Sequence, residues 1–413
     1  MRDEEHRYDT ARLDALPKHA LRGKRPGGPP PGRLRRIPRW VYRMILILAL
    51  SALAVAGWYD RANLTPQNIV QWVQSRIVGL GLGDGFPQSI SGSSVAPQNF
   101  LSSGKNLVVA SDTGLSVYNS TAREILGLQH GYAKPVLKVS GPRALLFNLG
   151  GKSFRIETTG GKSLELSAEQ DILGGALAPD GQCALVTAAD GYCGMLVSYT
   201  ADGAVRSRYW FYDYYPAAVA LSPDGRRAAV AGVSAKEGEL VSALYLIDLS
   251  SEKPVQPVAT CPGNLLLAVF WDNPSSVAAV GDTGALIVDP SSGRRTDFSY
   301  EGEKLAAYAS GGGKTALALS PYEGAAESAL TVLDGSGARL LSRKISGRTL
   351  SVSLCGQEAA ALAGGKVWFF PLSAPPDSGR SADAGADARA IALRDESSVY
   401  VLGISEIRLV VSR

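Results

Sequence analysis

Beyond residue 19 this 413-residue chain holds one histidine, His130. A histidine-built zinc site and a two-histidine metalloprotease helix each need more than one. A Ser-His-Asp triad would have to use His130 without the GxSxG elbow that presents such a serine. Cys183, Cys193, Cys261 and Cys355 are dispersed, with no CxxC spacing. Cys183 and Cys193 fall on adjacent expected strands, which leaves open a local disulfide or, with the other two, four isolated small core residues. No spacing of carboxylates marks a glycosidase pair, although a ring-shaped fold can bring distant Asp and Glu together. Catalysis, metal and cofactor are therefore not expected. What is dense is aromatic: RYWFYDYYPAAV packs Tyr209, Trp210, Phe211, Tyr212, Tyr214 and Tyr215 into seven positions. Such rings suit sugar faces, peptide prolines and apolar partner side chains.

The elements that must position these residues come from a repeat. LSPDGRRAAVAG (221–232) and LAPDGQCALVTA (177–188) each set a Pro-Asp-Gly turn between two short apolar runs. The wider pattern of three apolar runs separated by turns recurs eight times between residues 95 and 413. Its first turns fall near Lys105, Pro142, Gln182, Arg226, Pro274, Lys314, Gln357 and Ser397. The spacings of 37 to 48 residues fit four-stranded propeller blades and are too long for leucine-rich or hexapeptide solenoids. Segments such as SLELSAE and RSRYWFYD supply fourth strands, and an all-β, eight-bladed β-propeller over residues 86–413 is expected. Seven blades remain the alternative, because the fifth unit turns on an irregular NPSS.

The chain ends on the third strand of the eighth unit, so FPQSISGSS (86–94) is expected to pair there and close the ring. The Pro-Asp-Gly aspartates, Asp180 and Asp224, read as turn formers rather than calcium ligands, for no Asp-rich loop accompanies them. SAKEGELVS (234–242) reads as an extended hairpin loop, and SAPPDSGRSADAGADARA (373–390) as a flexible insertion between blades seven and eight. If 209–212 form an outer strand, alternate rings are buried between blades. Tyr214 and Tyr215 then lie on the next connector, on the same rim as QHGYAKP with His130 and Tyr132. His130, Tyr132, Tyr209, Trp210, Tyr212, Tyr214 and Tyr215 make up the candidate binding rim.

Ahead of the repeat lies RWVYRMILILALSALAVAGWYD. The stretch from Trp40 to Tyr59 is about 30 Å long as a helix and carries aromatic residues at both ends, which reads as one transmembrane helix. Ala54-Val55-Ala56 offers the rival reading of a cleaved signal peptide. Residues 1–43 hold 12 Lys/Arg against 5 Asp/Glu, which by the positive-inside rule keeps the N-terminus cytoplasmic and the propeller outside. The Pro/Arg-rich tail, 1–39, is expected to be disordered and to contact anionic lipid. Residues 60–85 are expected to hold an amphipathic helix, with Ile69, Trp72, Val73, Ile77 and Leu80 on one stripe, and a linker. Everything after residue 43 carries 30 cations against 33 carboxylates, which argues against nucleic acid as a partner.

GLGDGFPQSISGSS and QHGYAKPVLKVSGPRALLFNLGGKSFRIET resemble segments of an uncharacterised family of membrane-anchored envelope proteins of Gram-positive gut bacteria, whose domain has no known function. The resemblance spans roughly residues 40–413. It implies one N-terminal anchor and an extracytoplasmic propeller, and it supplies no catalytic residues. The LSPDGRRAAV units resemble blades of periplasmic and WD-type propellers, without Trp-Asp endings. The expected role is a membrane-anchored, non-catalytic scaffold or adaptor binding protein or glycan in the cell envelope. The alternatives are a transmembrane sensor signalling to the tail and an envelope glycan hydrolase.

Overall fold

The second apolar run of each repeat is a strand buried on both faces along most of its length, and so are most of the third runs. Cys183–Thr187, Ser276–Gly281, Glu358–Ala363 and Ser398–Leu402 are buried at every position. A strand with neighbours on both sides needs a continuous apolar run rather than alternation, and alanine and β-branched residues supply one thin enough for sheets to stack. The outermost strands, such as Leu164–Ser167 and Arg295–Ser299, alternate between partly buried and exposed residues because one side meets water.

These strands form eight antiparallel four-stranded sheets. In a computed structural model, which describes residues 83–413 apart from 252, 374–378 and 413, together with the isolated positions 44 and 51, blades one to seven take consecutive strands. They span 95–129, 135–167, 172–211, 215–262, 266–299, 304–346 and 349–383. The eighth combines three strands from 390–411 with Gln88–Ser89, which pair with Ile407 and Glu406. The ring therefore closes through the N-terminal segment, as the strand count anticipates. The NPSS unit is a full blade, its hairpin pairing Asn273 with Ser276, so the seven-bladed alternative falls away.

The tail 1–39 and residues 60–82 of the expected amphipathic helix lie outside the described residues, as does the span 40–59 apart from Met44 and Ser51. Among the described residues no helix is long and apolar enough to cross a membrane.

Innermost strands of successive blades pack against one another around the axis. Between blades one and two the join is polar. Asn99, almost fully buried, donates from Nδ2 to the Pro135 carbonyl at 2.8 Å and accepts the Leu137 N–H at Oδ1 at 3.0 Å. The side chain thus mimics a strand across a gap that backbone does not bridge. At the closure, Phe86 lies 5.2 Å from the Tyr400 ring, and Tyr400 donates its hydroxyl proton to the Lys105 carbonyl at 2.7 Å.

Antiparallel order sorts the loops onto two rims. One, the connector rim, carries the turns between second and third strands and the links between blades; the other, the turn rim, carries the remaining turns. On the turn rim the Pro-Asp-Gly aspartates are engaged locally. Asp180 accepts the Gln182 N–H, and Asp224 accepts the Arg226 N–H and the Ser222 hydroxyl. Gly181 and Gly225 take φ of 93° and 65°, which favour glycine.

Two expectations need correction. SAKEGELVS is strand to within two residues, pairing Lys236 with Glu239 about a Glu237-Gly238 turn. The segment 373–390 is not a disposable insertion, since Arg380–Asp383 is the outer strand of blade seven.

Candidate functional site

The aromatic run divides by strand geometry. Residues alternate across the outer strand Val205–Phe211, so Tyr209 and Phe211 face blade four while Trp210 faces water. The Tyr209 hydroxyl donates to the Val255 carbonyl and accepts the Val255 N–H, and Phe211 meets Tyr245 edge-on at 5.4 Å. Tyr214, expected on the contact surface, is only 2% exposed and packs on Tyr245 beneath Lys236, whose ammonium sits 5.2 Å from the ring centre. The extended hairpin of blade four covers it. Tyr215 begins the inner strand and points the other way, 60% exposed.

Tyr212 is 69% exposed and stands edge-on to Tyr192 at 5.0 Å, with Trp210 6.3 Å from the same ring. Tyr192 is 41% exposed and belongs to the turn 188–193 of blade three. As an isolated tyrosine in a loop, it gave the sequence reading no signal. Tyr192 raises the pKa of Tyr212, as two phenols side by side resist a shared negative charge. Cys193, next to Tyr192, directs its thiol to the Tyr212 carbonyl at 3.1 Å.

His130 and Tyr132 form a separate group on the link between blades one and two. Tyr132 is 8% exposed and sits in the core between those blades, so it is not a surface residue. His130 is half-buried, with Nε2 3.2 Å from the Ser111 carbonyl and Nδ1 accepting the Tyr132 N–H at 3.3 Å. Both ring nitrogens are taken by backbone in the neutral tautomer, and desolvation lowers the pKa. Of the seven candidates, Trp210, Tyr212 and Tyr215 remain as accessible rings.

The cysteine pair is settled by register. Cys183 pairs with Tyr199 at one end of its hairpin, whereas Cys193 lies beyond Met195 at the other. The two are separated by most of a strand, roughly 20 Å, and all four cysteines are free. Cys183 and Cys261 are buried, as core residues should be, while Cys193 and Cys355 are only partly so.

The axial mouth on this rim has a feature with no sequence signature. Each inner strand of blades three to seven carries a bulge one or two residues after its start, between Ile172 and Gly174, Pro216 and Ala218, Leu266 and Ala268, Leu305 and Ala307, and Thr349 and Ser351. The extra residues, Leu173, Ala217, Leu267, Ala306 and Leu350, are all exposed. All five lie near the connector-rim start of an innermost strand. Bulges re-aim side chains in this way.

Charge is unequal between the rims. Connector-rim loops hold Asp112, Glu169, Asp171, Asp190, Asp213, Glu237, Asp282, Glu301, Glu303, Glu323 and Asp387 against Lys134, Lys152, Arg348 and Arg389. Described turn-rim segments nearly balance, with Asp84, Asp180, Asp202, Asp224, Asp289, Asp334 and Glu396 against Lys105, Arg123, Lys162, Arg226, Lys253 and Arg294. The chain enters at the turn rim, where the Gly83 N–H donates to Thr121 Oγ1 and the Gly85 N–H to the Thr121 carbonyl.

Solved structures share the fold. The C-terminal WD40 domain of Sif2 is 12% identical with a TM-score of 0.52, over 80% of this chain and 98% of that one. The Dos1 propeller is 12% identical with a TM-score of 0.54, over 80% and 95%. No curated protein matches the sequence. Residues 87–370 match the model of a family of unknown function, DUF5711, and the chain belongs to that family.

Proposed function

We propose that this protein is a membrane-anchored, extracytoplasmic propeller that binds protein or glycan through its connector rim and acts as a non-catalytic scaffold in the cell envelope. The observation that carries this reading is the exposed group of Tyr192, Trp210, Tyr212 and Tyr215 on one rim. Large rings cost free energy in water and repay it at interfaces. The anchor rests on the apolar stretch from Trp40 to Tyr59 and the cationic residues before it. Protein binding accords with the breadth of propellers that serve as binding platforms.

Two measurements test this. Protease is added to intact cells carrying tags at residues 1 and 413; loss of only the C-terminal tag from a full-length chain is expected, and a shorter released chain cut near Ala56 would refute the anchor. A photo-crosslinking residue at position 212 should trap an envelope component that the same residue at Lys105, on the other rim, does not. Equal trapping at both would remove the rim assignment.

A further inference from the structure

We propose that the axial mouth on the connector rim receives an apolar side chain from a cationic polypeptide segment; this names the partner class for the rim and rests on the reading of that rim as a contact surface. The bulges are not imposed by the fold. Blade two pairs Pro135 with Asn148 and Val136 with Phe147 without a break, and blade eight pairs Ala390 with Leu402 and Ile391 with Val401 likewise. Inner strands can therefore start in regular register. In blades three to seven they do not, and blade one also shifts register between Val95 and Phe100; in blades three to seven each irregularity leaves an apolar side chain exposed, outside the regular ladder. A ring holding Leu173, Leu267 and Leu350 is apolar surface without an internal partner.

The surroundings select the occupant. A glycan site needs polar side chains converging beside the aromatic faces, and none of the five bulge residues carries one. A second copy of this chain would set one acidic rim against another, which like charge opposes. A segment with Lys or Arg flanking a leucine or proline meets both conditions: apolar side chain in the mouth, cations over loops whose eleven carboxylates outnumber four cations, Glu169 and Asp387 being already paired with Arg208 and Arg408. Tyr215, two residues before Ala217 on the same inner strand, is exposed as well.

The test uses the full chain in detergent micelles and a fluorescent nonapeptide with two leucines flanked on each side by two arginines. Controls are the same peptide with glutamate for arginine and a soluble amino-sugar oligomer. The arginine peptide is expected to bind, to weaken as salt is raised, and to lose about tenfold in affinity in Leu267→Arg and in Leu350→Arg. Tyr215→Ser, outside the ring, provides a second variant should either arginine substitution lower the melting temperature. Equal binding of the glutamate peptide, no binding of the arginine peptide, or affinity unchanged in all three variants overturns the proposal. Binding of the sugar oligomer alone, sensitive to Tyr215→Ser, also overturns it while leaving the rim assignment standing. The crosslink at position 212 tests the rim itself, so the two failures are separable.

Discussion

Replacing Asn99 by leucine keeps the branched skeleton of four side-chain heavy atoms, at some cost in bulk, and removes both polar atoms of its amide. The Leu137 N–H then has no acceptor in a place where its own residue is 1% exposed, and the half-buried Pro135 carbonyl loses its donor. An ordinary intramolecular hydrogen bond contributes about 1 kcal/mol net, and a buried group left unpaired costs about 1–3 kcal/mol. The carbonyl can recruit water and falls at the lower end; the N–H cannot and falls nearer the middle. The expected loss is about 3 kcal/mol, offset only slightly by the apolar replacement. Urea unfolding followed by tryptophan fluorescence measures it, with an unchanged slope showing that the same surface is exposed. A loss below about 1 kcal/mol would refute the reasoning, because it would mean that water or a backbone shift satisfies the inner strand of blade two without Asn99.

Tyr400→Phe removes the hydroxyl that holds the Lys105 carbonyl across the ring closure and should cost about 1–2 kcal/mol, read as a lower urea midpoint. The His130 pKa is lowered in the folded state, so the unfolded chain binds the extra proton and stability falls as pH drops through and below the ordinary histidine value. His130→Gln should accordingly lose less melting temperature between pH 7.5 and 5 than the parent; an equal loss would show that the ring does not report this protonation. Burial pushes the Cys183 thiol up to about 12, and desolvation raises Cys193 as well. Native protein should consequently alkylate slowly at neutral pH, Cys193 and Cys355 before Cys183 and Cys261, with no disulfide in non-reducing peptide maps.

The ring was readable because each hairpin has a turn that punctuates it. Glycine, proline or a polar residue occupies every first turn, and even NPSS works, since Asn273 accepts the Ser275 N–H and donates to the Ser276 hydroxyl in place of a glycine's freedom. Closure was legible from one missing strand. The fate of individual rings was not. Tyr214 and Tyr215 are neighbours in the chain, and what separates them is an inner strand starting at one and a long hairpin of blade four, whose Lys236 lies 22 residues on, covering the other. Tyr192 became part of the aromatic group only through the pairing of Met195 with Trp210. The bulges left no trace because their extra residues, leucine and alanine, are the same types that fill regular strands.

The pairing of Gln88 with Ile407 also orders events in time. Each of the first seven blades is made of consecutive hairpins and can form as soon as its own residues are available, whereas the last join must wait until Ile407 has been synthesised. Until then the apolar flank of blade one, with Phe100, Leu107 and Tyr118, lacks the neighbours Tyr400 and Leu402 that cover it in the finished ring. An arrested chain is thus an open arc with a greasy end, and the growing protein stays exposed to aggregation until the strands of the eighth blade have been made.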